Sequence, residues 1–172
     1  MSASFEFEEV DRFVTGAVGR PGSRVFFLEV VTAAGSVWFK IEKQQVAALA
    51  EHLRRMMADL PQPVVTLGSG ARFSAPGSLE DAAFVVGTMS AGYEPDRDRV
   101  VMLVEEFVAL DENGDPEPEA AATQGRARLS LRREQVVGFV AEAEIVVAGG
   151  RPLCRWCGLP IDPDGHNCPR SN

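Results

Sequence analysis

The chain is poor in the residues that most often carry enzyme chemistry. It has 172 residues but only two histidines and three cysteines, and no cysteine precedes position 154. His52 is the only histidine before the last nineteen positions, so a Ser-His-Asp or Cys-His arrangement has little support there. His52 lies off the apolar face of a predicted helix and is expected to be an exposed surface residue.

Long apolar runs and a basic charge balance are also missing. No apolar stretch approaches the length of a membrane span, and "MSASFEFEEVDRF" has acids where a secretory signal has a basic start. The formal net charge is −8, which argues against nucleic acid and anionic membranes as partners. We expect a cytoplasmic protein that binds another protein, with no indication of its oligomeric state. Reduced cysteines in the cytoplasm favour a metal site over disulfides.

Two stretches have the spacing of amphipathic helices, and β-branched and aromatic runs precede each of them. The spacing predicts helices over 42–59 and 132–148. The first has no good N-cap residue, and Pro61 and Pro63 follow its end. After an extended "FEFEEV", strands are predicted at "RFVTGAV", "RVFFLEVV", "VWFKI", "AAFVVGTMS", "RVVMLVEEFVAL" and "RARLSL".

The two halves of the chain resemble each other. "RFVTGAV" is similar to "AFVVGTM", which aligns Gly16 with Gly87, and "KIEKQQVAAL" is similar to "SLRREQVVGF", which aligns Gln45 with Gln135. The alternative is a chance likeness between short apolar strands. We predict an α+β fold for residues 1–150, with a mainly antiparallel sheet from a duplicated β-β-β-α unit and two packed helices. Residues 151–172 form a separate small tail.

The tail combines C-x2-C with H-x-C after a gap of eight residues. Thiolate sulfur and neutral imidazole suit zinc, and four such ligands close a tetrahedral shell. The sequence therefore predicts a zinc knuckle with one structural Zn²⁺ bound by Cys154, Cys157, His166 and Cys168. We expect it to pack on the body, near the end of the second helix, through Trp156, Leu159 and Ile161.

Three alternatives to structural zinc remain open. Redox chemistry at "CRWC" would need an activated thiol, but the motif follows a helix instead of opening one. A catalytic zinc is disfavoured because four protein ligands leave no open position for water. The third alternative is a disordered tail without metal.

Other charged or glycine-rich segments have weaker implications. "GSGAR" lacks the Gly-Lys-Ser/Thr ending of a phosphate loop and is expected to be a linker. The acidic run over 105–119 has no defined cation-binding spacing and is expected to be a solvated loop. Two arginine groups would make a basic patch if they met: Arg151, Arg155 and Arg170 near the knuckle, and Arg126, Arg128, Arg132 and Arg133 near the second helix.

The chain resembles an uncharacterised actinobacterial family, a domain of unknown function whose C-terminal signature is CxxCGxPxDPxGHxCPRxN. The ending "AGGRPLCRWCGLPIDPDGHNCPRSN" matches it almost throughout, and "GAVGRPGSRVFFLEV" and "IEKQQVAALAEHL" agree within the body. One departure is "SLRREQ", where a Thr-Pro pair usually opens the helix. The resemblance implies the same knuckle but no established activity.

Two functions follow as hypotheses, and the sequence leaves open whether the protein is an enzyme. A closed metal shell without a recognisable catalytic set favours a non-enzymatic binding or adaptor module. The alternative is an enzyme acting on a phosphorylated or thiol-containing small molecule at a cleft between the two repeats. No catalytic or cofactor-binding residue is identified for it.

Overall fold

After a short first strand, the chain twice forms a group of three strands that is followed by a long helix. The computed structural model describes residues 4–63, 72–162 and 164–170. Its strands are β1 (Ser4–Phe7), β2 (Arg12–Val18), β3 (Val25–Thr32), β4 (Gly35–Ile41), β5 (Val86–Glu94), β6 (Arg99–Glu106) and β7 (Arg126–Leu131). Its α-helices are α1 (Lys43–Ala58), α2 (Pro118–Ala122) and α3 (Arg133–Ala148). The α+β class is confirmed, and both long helices lie within a residue of the predicted bounds.

The strands form two sheets, in the orders β1-β7-β6-β5 and β2-β3-β4. Pairing is antiparallel except between β1 and β7, so the predicted antiparallel character is confirmed. The prediction of a single sheet is wrong. Among the described residues, the backbone pairing between the two sheets is one short parallel bridge, where Lys40 N–H donates to Phe84 O at 3.0 Å and Ala83 N–H to Trp38 O at 2.8 Å.

One hydrophobic core joins both sheets and both long helices. Phe13 on β2 stacks on Phe139 of α3 with ring centroids 4.4 Å apart. The apolar face of α1 is buried through Val46, Leu49, Ala50, Leu53 and Met57. The matching face of α3 is buried through Val136, Phe139, Val140 and Ala143. Residues before the tail therefore have a core of their own. Among the described residues, no helix combines the length and apolar character needed to cross a membrane.

Glutamine at the third position begins both long helices. The side-chain oxygens of Gln45 and Gln135 accept the backbone N–H of residues 42 and 132 at 3.0 and 2.8 Å. Their amides then donate to strand-side carbonyls, Gln45 to Gly87 O at 2.9 Å and Gln135 to Val10 O at 2.6 Å. The apparent lack of a cap is thus explained, because the cap comes from inside the helix and not from the preceding residue.

The segment over residues 72–76 covers the outer face of the three-stranded sheet. Phe73 stacks on Phe27 at 6.4 Å between centroids, and the Ser74 N–H donates to the buried carboxylate of Glu29 at 2.8 Å. The Trp38 indole donates to Ser74 O at 2.8 Å. The sequence interpretation treated "GSGAR" as a plain linker. Its positions 68–71 lie outside the described residues, and the stretch that follows it packs on the sheet.

The glycines that the sequence aligns are both required by close contacts. A Cβ on Gly16 would lie 2.1 Å from the Phe73 ring, and a Cβ on Gly87 would lie 2.8 Å from Phe107 Cα. Both distances are below normal van der Waals contact, so neither site accepts a side chain without a shift. Each half has three strands and then a long helix, but in the second half the short α2 lies between β6 and β7. The common origin of the halves stays a prediction.

The acidic segment after β6 is a loop that includes the short α2. The strand predicted through Leu110 ends at Glu106 instead, and Phe107 and Leu110 are 62% and 58% exposed. Asp111 closes the loop by accepting the N–H groups of Asn113 and Asp115 at 2.8 and 3.0 Å. The described acidic side chains of the loop itself, residues 111–119, are exposed, which agrees with a solvated loop.

Candidate metal centre

The tail begins as a small hairpin after α3. Cys154 N–H donates to Leu159 O, Gly158 N–H to Cys154 O, and Ile161 N–H to Pro152 O, each at 2.8 Å. Gly158 has a φ of +74°, a left-handed conformation that glycine adopts without a steric penalty. This turn places Cys154 and Cys157 on the same side of the hairpin.

A second tight turn returns the chain to the first one. Gly165 N–H donates to Asp162 O at 2.8 Å, and Gly165 has a φ of +92°. His166 and Cys168 follow this turn directly. Both turns depend on glycine. The same short segment of sequence therefore contains the candidate ligands and the glycines whose turns bring them together.

The structure brings all four predicted ligands together. Their ligand atoms lie within 4.8 Å of one another. Cys154 Sγ lies 3.8 Å from Cys168 Sγ, and Cys157 Sγ lies 3.3 Å from His166 Nε2. A tetrahedral zinc with Zn–S bonds of about 2.3 Å requires an S–S edge of about 3.8 Å. The arrangement therefore fits one zinc-sized ion.

Backbone amides of the turn favour the thiolate of Cys154. The N–H groups of Cys157 and Trp156 point at its sulfur and lower the pKa of Cys154 to about 7, with Trp156 N at 3.4 Å from Sγ. The pKa of Cys168 is raised: the Arg170 N–H opposes this, but burial and the neighbouring thiols outweigh it. The turn supplies the activation that the sequence interpretation considered missing for want of a helix N-terminus.

The donor set is chemically suited to a structural ion. Three sulfurs and one imidazole nitrogen are ligands that zinc accepts, and four protein ligands leave no position for a substrate or an activated water. Cys154 is only 6% exposed, which matches a ligand more than an exchange-active thiol. The three cysteines form no disulfide.

The tail contacts the body through polar and small groups. Arg151 Cδ would lie 3.3 Å from a Cβ on Gly22, in the β2–β3 turn, and Arg151 Nη1 donates to Asp162 Oδ1 within the tail at 2.6 Å. Pro152 and Ile161 line a cavity with Arg20 and Pro21 of that turn. The contact surface on the body therefore includes the β2–β3 turn.

The predicted packing of two apolar tail residues is wrong. Trp156 and Leu159 are 59% and 51% exposed, and Leu153 is 67% exposed. Only Ile161 is half-buried. The four candidate metal ligands occupy the interior of the tail. The apolar side chains of the hairpin therefore point toward solvent.

The two predicted arginine groups do not form one patch. Arg132 and Arg133 lie at the start of α3, whereas Arg151 follows its end, and a 16-residue helix is about 24 Å long. Arg133 pairs with Asp98 and Arg132 with Glu134, both at 2.7 Å. Their charges are satisfied locally.

Fold and site together define an α+β protein that ends in a Cys₃His cluster able to hold a metal ion. The family model described as "Protein of unknown function (DUF3090)" matches residues 5–168. The chain belongs to this family, which confirms the resemblance to an uncharacterised family; the match does not by itself establish a zinc signature. No curated protein and no solved structure matches the chain.

Proposed function

We propose that the tail is a structural zinc knuckle in which Cys154, Cys157, His166 and Cys168 bind one Zn²⁺. The clustering of their four ligand atoms within 4.8 Å carries the proposal. A segment of about twenty residues cannot bury enough apolar surface to offset its chain entropy. Metal ligation supplies that free energy directly, so folding of the tail and metal binding are coupled.

Elemental analysis of protein purified without chelator tests this proposal. We expect about one equivalent of zinc, as for other closed four-ligand sites. A zinc titration of the chelated protein should accompany it, because purification can strip metal. Failure to rebind zinc, together with an equally ordered tail after chelation, would contradict the proposal.

We further propose that the knuckle presents a binding surface for another protein. Leu153, Trp156 and Leu159 are all more than half exposed within one seven-residue stretch. Arg155 lies over the Trp156 ring at 4.7 Å from its centroid, and Arg170 donates to Trp156 O at 3.3 Å. Tryptophan and arginine are enriched at the centres of protein interfaces. The proposed partner has an apolar pocket with an acidic rim.

A capture experiment with matched variants tests the binding module. Zinc-loaded wild type is compared with Trp156→Ala, Leu159→Ala and the control Leu110→Ala, an exposed leucine outside the tail. We expect one partner from native lysate to be retained by the control and by wild type, and lost with both tail variants and after chelation. Equal capture by Leu110→Ala and Leu159→Ala, or by chelated protein, would exclude the knuckle as the binding surface.

A second candidate, the enzyme acting on a phosphorylated or thiol-containing small molecule, is favoured by one observation. A cavity of about 330 Å³ lies between the first repeat and the residues that follow α3. Among the residues that the structure describes, Glu42 is the only acidic one that lines it. A cavity with one carboxylate lacks the paired acid and base that most hydrolytic mechanisms use, so the binding module remains the leading proposal.

A further inference from the structure

The chain contains only two lysines, Lys40 and Lys43, and both line the same cavity. The cavity, of about 330 Å³, lies where β3 begins, β4 ends and α1 starts. Gly150 and Arg151 close its remaining side. This volume is at the lower end of the range for small-molecule sites, about 300–1,000 Å³.

The cavity is strongly basic on a protein of net charge −8. Arg24, Lys40, Lys43 and Arg151 line it, against one carboxylate, Glu42. Arg151 is paired with Asp162. Within residues 4–63, 72–162 and 164–170, no ion pair involves Arg24, Lys40 or Lys43. Three cations thus line a concave site that also holds the Glu42 carboxylate, and none of the three forms an ion pair among the described residues.

Two of the three cations, Arg24 and Lys40, are positioned by contacts within the body of the protein, whereas Lys43 is exposed. Arg24 Nη1 donates to Val146 O at 3.2 Å, and its guanidinium lies 5.0 Å from the centroid of the Phe26 ring. Lys40 is half-buried within β4, next to the bridge between the two sheets.

A glycine keeps the cavity open. A Cβ on Gly150 would lie 3.1 Å from Lys43 Nζ and 3.6 Å from Arg24 Nη2. A larger side chain at this position would project toward the cationic groups and occupy the space between them. Gly150 has no positive φ, so its conformation does not itself require glycine.

We propose that this cavity binds the phosphate group of a small phosphorylated molecule. Phosphate oxygens are strong acceptors for ammonium and guanidinium donors, and the negative charge of a phosphate group is opposite to that of the unpaired cations. The inference is independent of the zinc knuckle and of its exposed surface, since the unpaired cations all lie on the body.

Selective lysine labelling tests the proposal directly. Because Lys40 and Lys43 are the only lysines, acetylation by an amine-reactive ester reports on the cavity alone, with the chain's α-amino group as the internal control. We expect inorganic pyrophosphate to slow acetylation of both lysines several-fold and to leave the α-amino group unaffected. The proposal would be overturned if the two lysines were acetylated at the same rate with and without pyrophosphate. The pyrophosphate concentration should reach the level that saturates ordinary phosphate sites.

Calorimetric titration of pyrophosphate into three variants distinguishes a specific binding site from nonspecific electrostatic attraction. Lys40→Gln should weaken binding about tenfold, the effect of losing one charge-assisted hydrogen bond. Gly150→Leu keeps every charge and should also weaken binding at least tenfold by filling the cavity. The control Arg126→Gln removes an exposed charge on β7 that pairs with Glu105 and should bind like wild type.

Two outcomes would contradict the cavity as the site. One is wild-type affinity in Gly150→Leu, with circular dichroism confirming that the variant is folded. The other is an equal loss in Lys40→Gln and Arg126→Gln that disappears at physiological salt, because screening removes long-range attraction between exposed charges. Loss in both cavity variants with the control unchanged supports the proposal.

Discussion

The body and the tail of this protein are stabilised in different ways. The body buries a continuous apolar core from two sheets and two helices. In the described part of the tail, residues 151–162 and 164–170, Cys154 alone is buried, and it is a candidate ligand. The body therefore depends on area removed from water, whereas the tail, on the proposal of a zinc knuckle, depends on coordination. The comparison indicates that each part can be disrupted without unfolding the other.

The largest effect is expected from Cys157→Ser. Structural zinc contributes about 10–16 kcal/mol in small zinc-dependent folds, and a serine hydroxyl is a poor substitute for a thiolate. We expect amide hydrogens of the tail to lose their exchange protection while the melting temperature of the body barely changes. Leu159→Ser, a change at an exposed non-ligand position, is the control and should retain protection. A matching loss of protection throughout the body would show that the two parts fold as one unit.

Phe139→Ala should produce the next largest effect, confined to the body. Phe139 is fully buried and stacks on Phe13, and removing such a ring costs about 3–5 kcal/mol. Urea unfolding measures the loss. Zinc stoichiometry should stay at its wild-type value in conditions where the variant is folded. Loss of zinc from folded Phe139→Ala would mean that the knuckle requires the packing of α3.

Glu29→Ala tests the polar contacts that hold the covering segment on the sheet. The carboxylate of Glu29 is fully buried and accepts from Ser36 Oγ at 3.0 Å and Ser74 N–H at 2.8 Å, with Arg12 at 3.5 Å. Its removal takes the acceptor away from three partly buried hydrogen bonds, which costs about 1–2 kcal/mol. Urea unfolding should show this loss for Glu29→Ala and none for Glu119→Ala, in the exposed loop. Equal stability of the two variants would contradict a role for this network.

Asp98→Asn should have the smallest effect, and it should depend on pH. Hydrogen bonds from Arg133 and then Tyr93 lower the pKa of Asp98 below its ordinary value, so the folded state binds this proton less tightly than the unfolded chain. The stabilisation is present above the ordinary pKa and is lost as pH falls through the lowered one. Asparagine tolerates the φ of +50° at this position.

Thermal melts of Asp98→Asn and wild type should therefore differ slightly at neutral pH and converge in acid. The effect is small because the pair is exposed to solvent. A difference that persists unchanged below the lowered pKa would show that asparagine perturbs the β5–β6 turn instead of removing an ion pair.

Local patterns predicted much of the fold and of the metal centre. The apolar spacing around Leu49 and Phe139 predicts both long helices, because helical periodicity is set by residues three and four apart. The spacing of Cys154, Cys157, His166 and Cys168 predicts their clustering, because two glycine turns within the same short segment return the chain. The roles of Gln45 and Gln135 were missed, although their alignment in the two halves was a visible signal of a shared cap.

Contacts between distant segments could not be predicted in the same way. The packing of Phe73 and Ser74 on the outer face of the sheet depends on Phe27 and Glu29, far away in the chain. Trp156 and Leu159 were expected to be buried because they are apolar. Burial depends on whether a partner surface lies opposite, and no local pattern contains that information.

The sequence by itself determined the two long helices, most of the strands and the candidate ligand set of the tail, since these depend on interactions between near neighbours in the chain. Only the tertiary structure decided that the strands divide into two sheets and that the knuckle exposes its apolar side chains. It also decided that Arg24, Lys40 and Lys43 meet Gly150 and Arg151 around one cavity. These groups come from opposite ends of the chain, and their proximity follows from the shared core that packs α3 against β2 and α1.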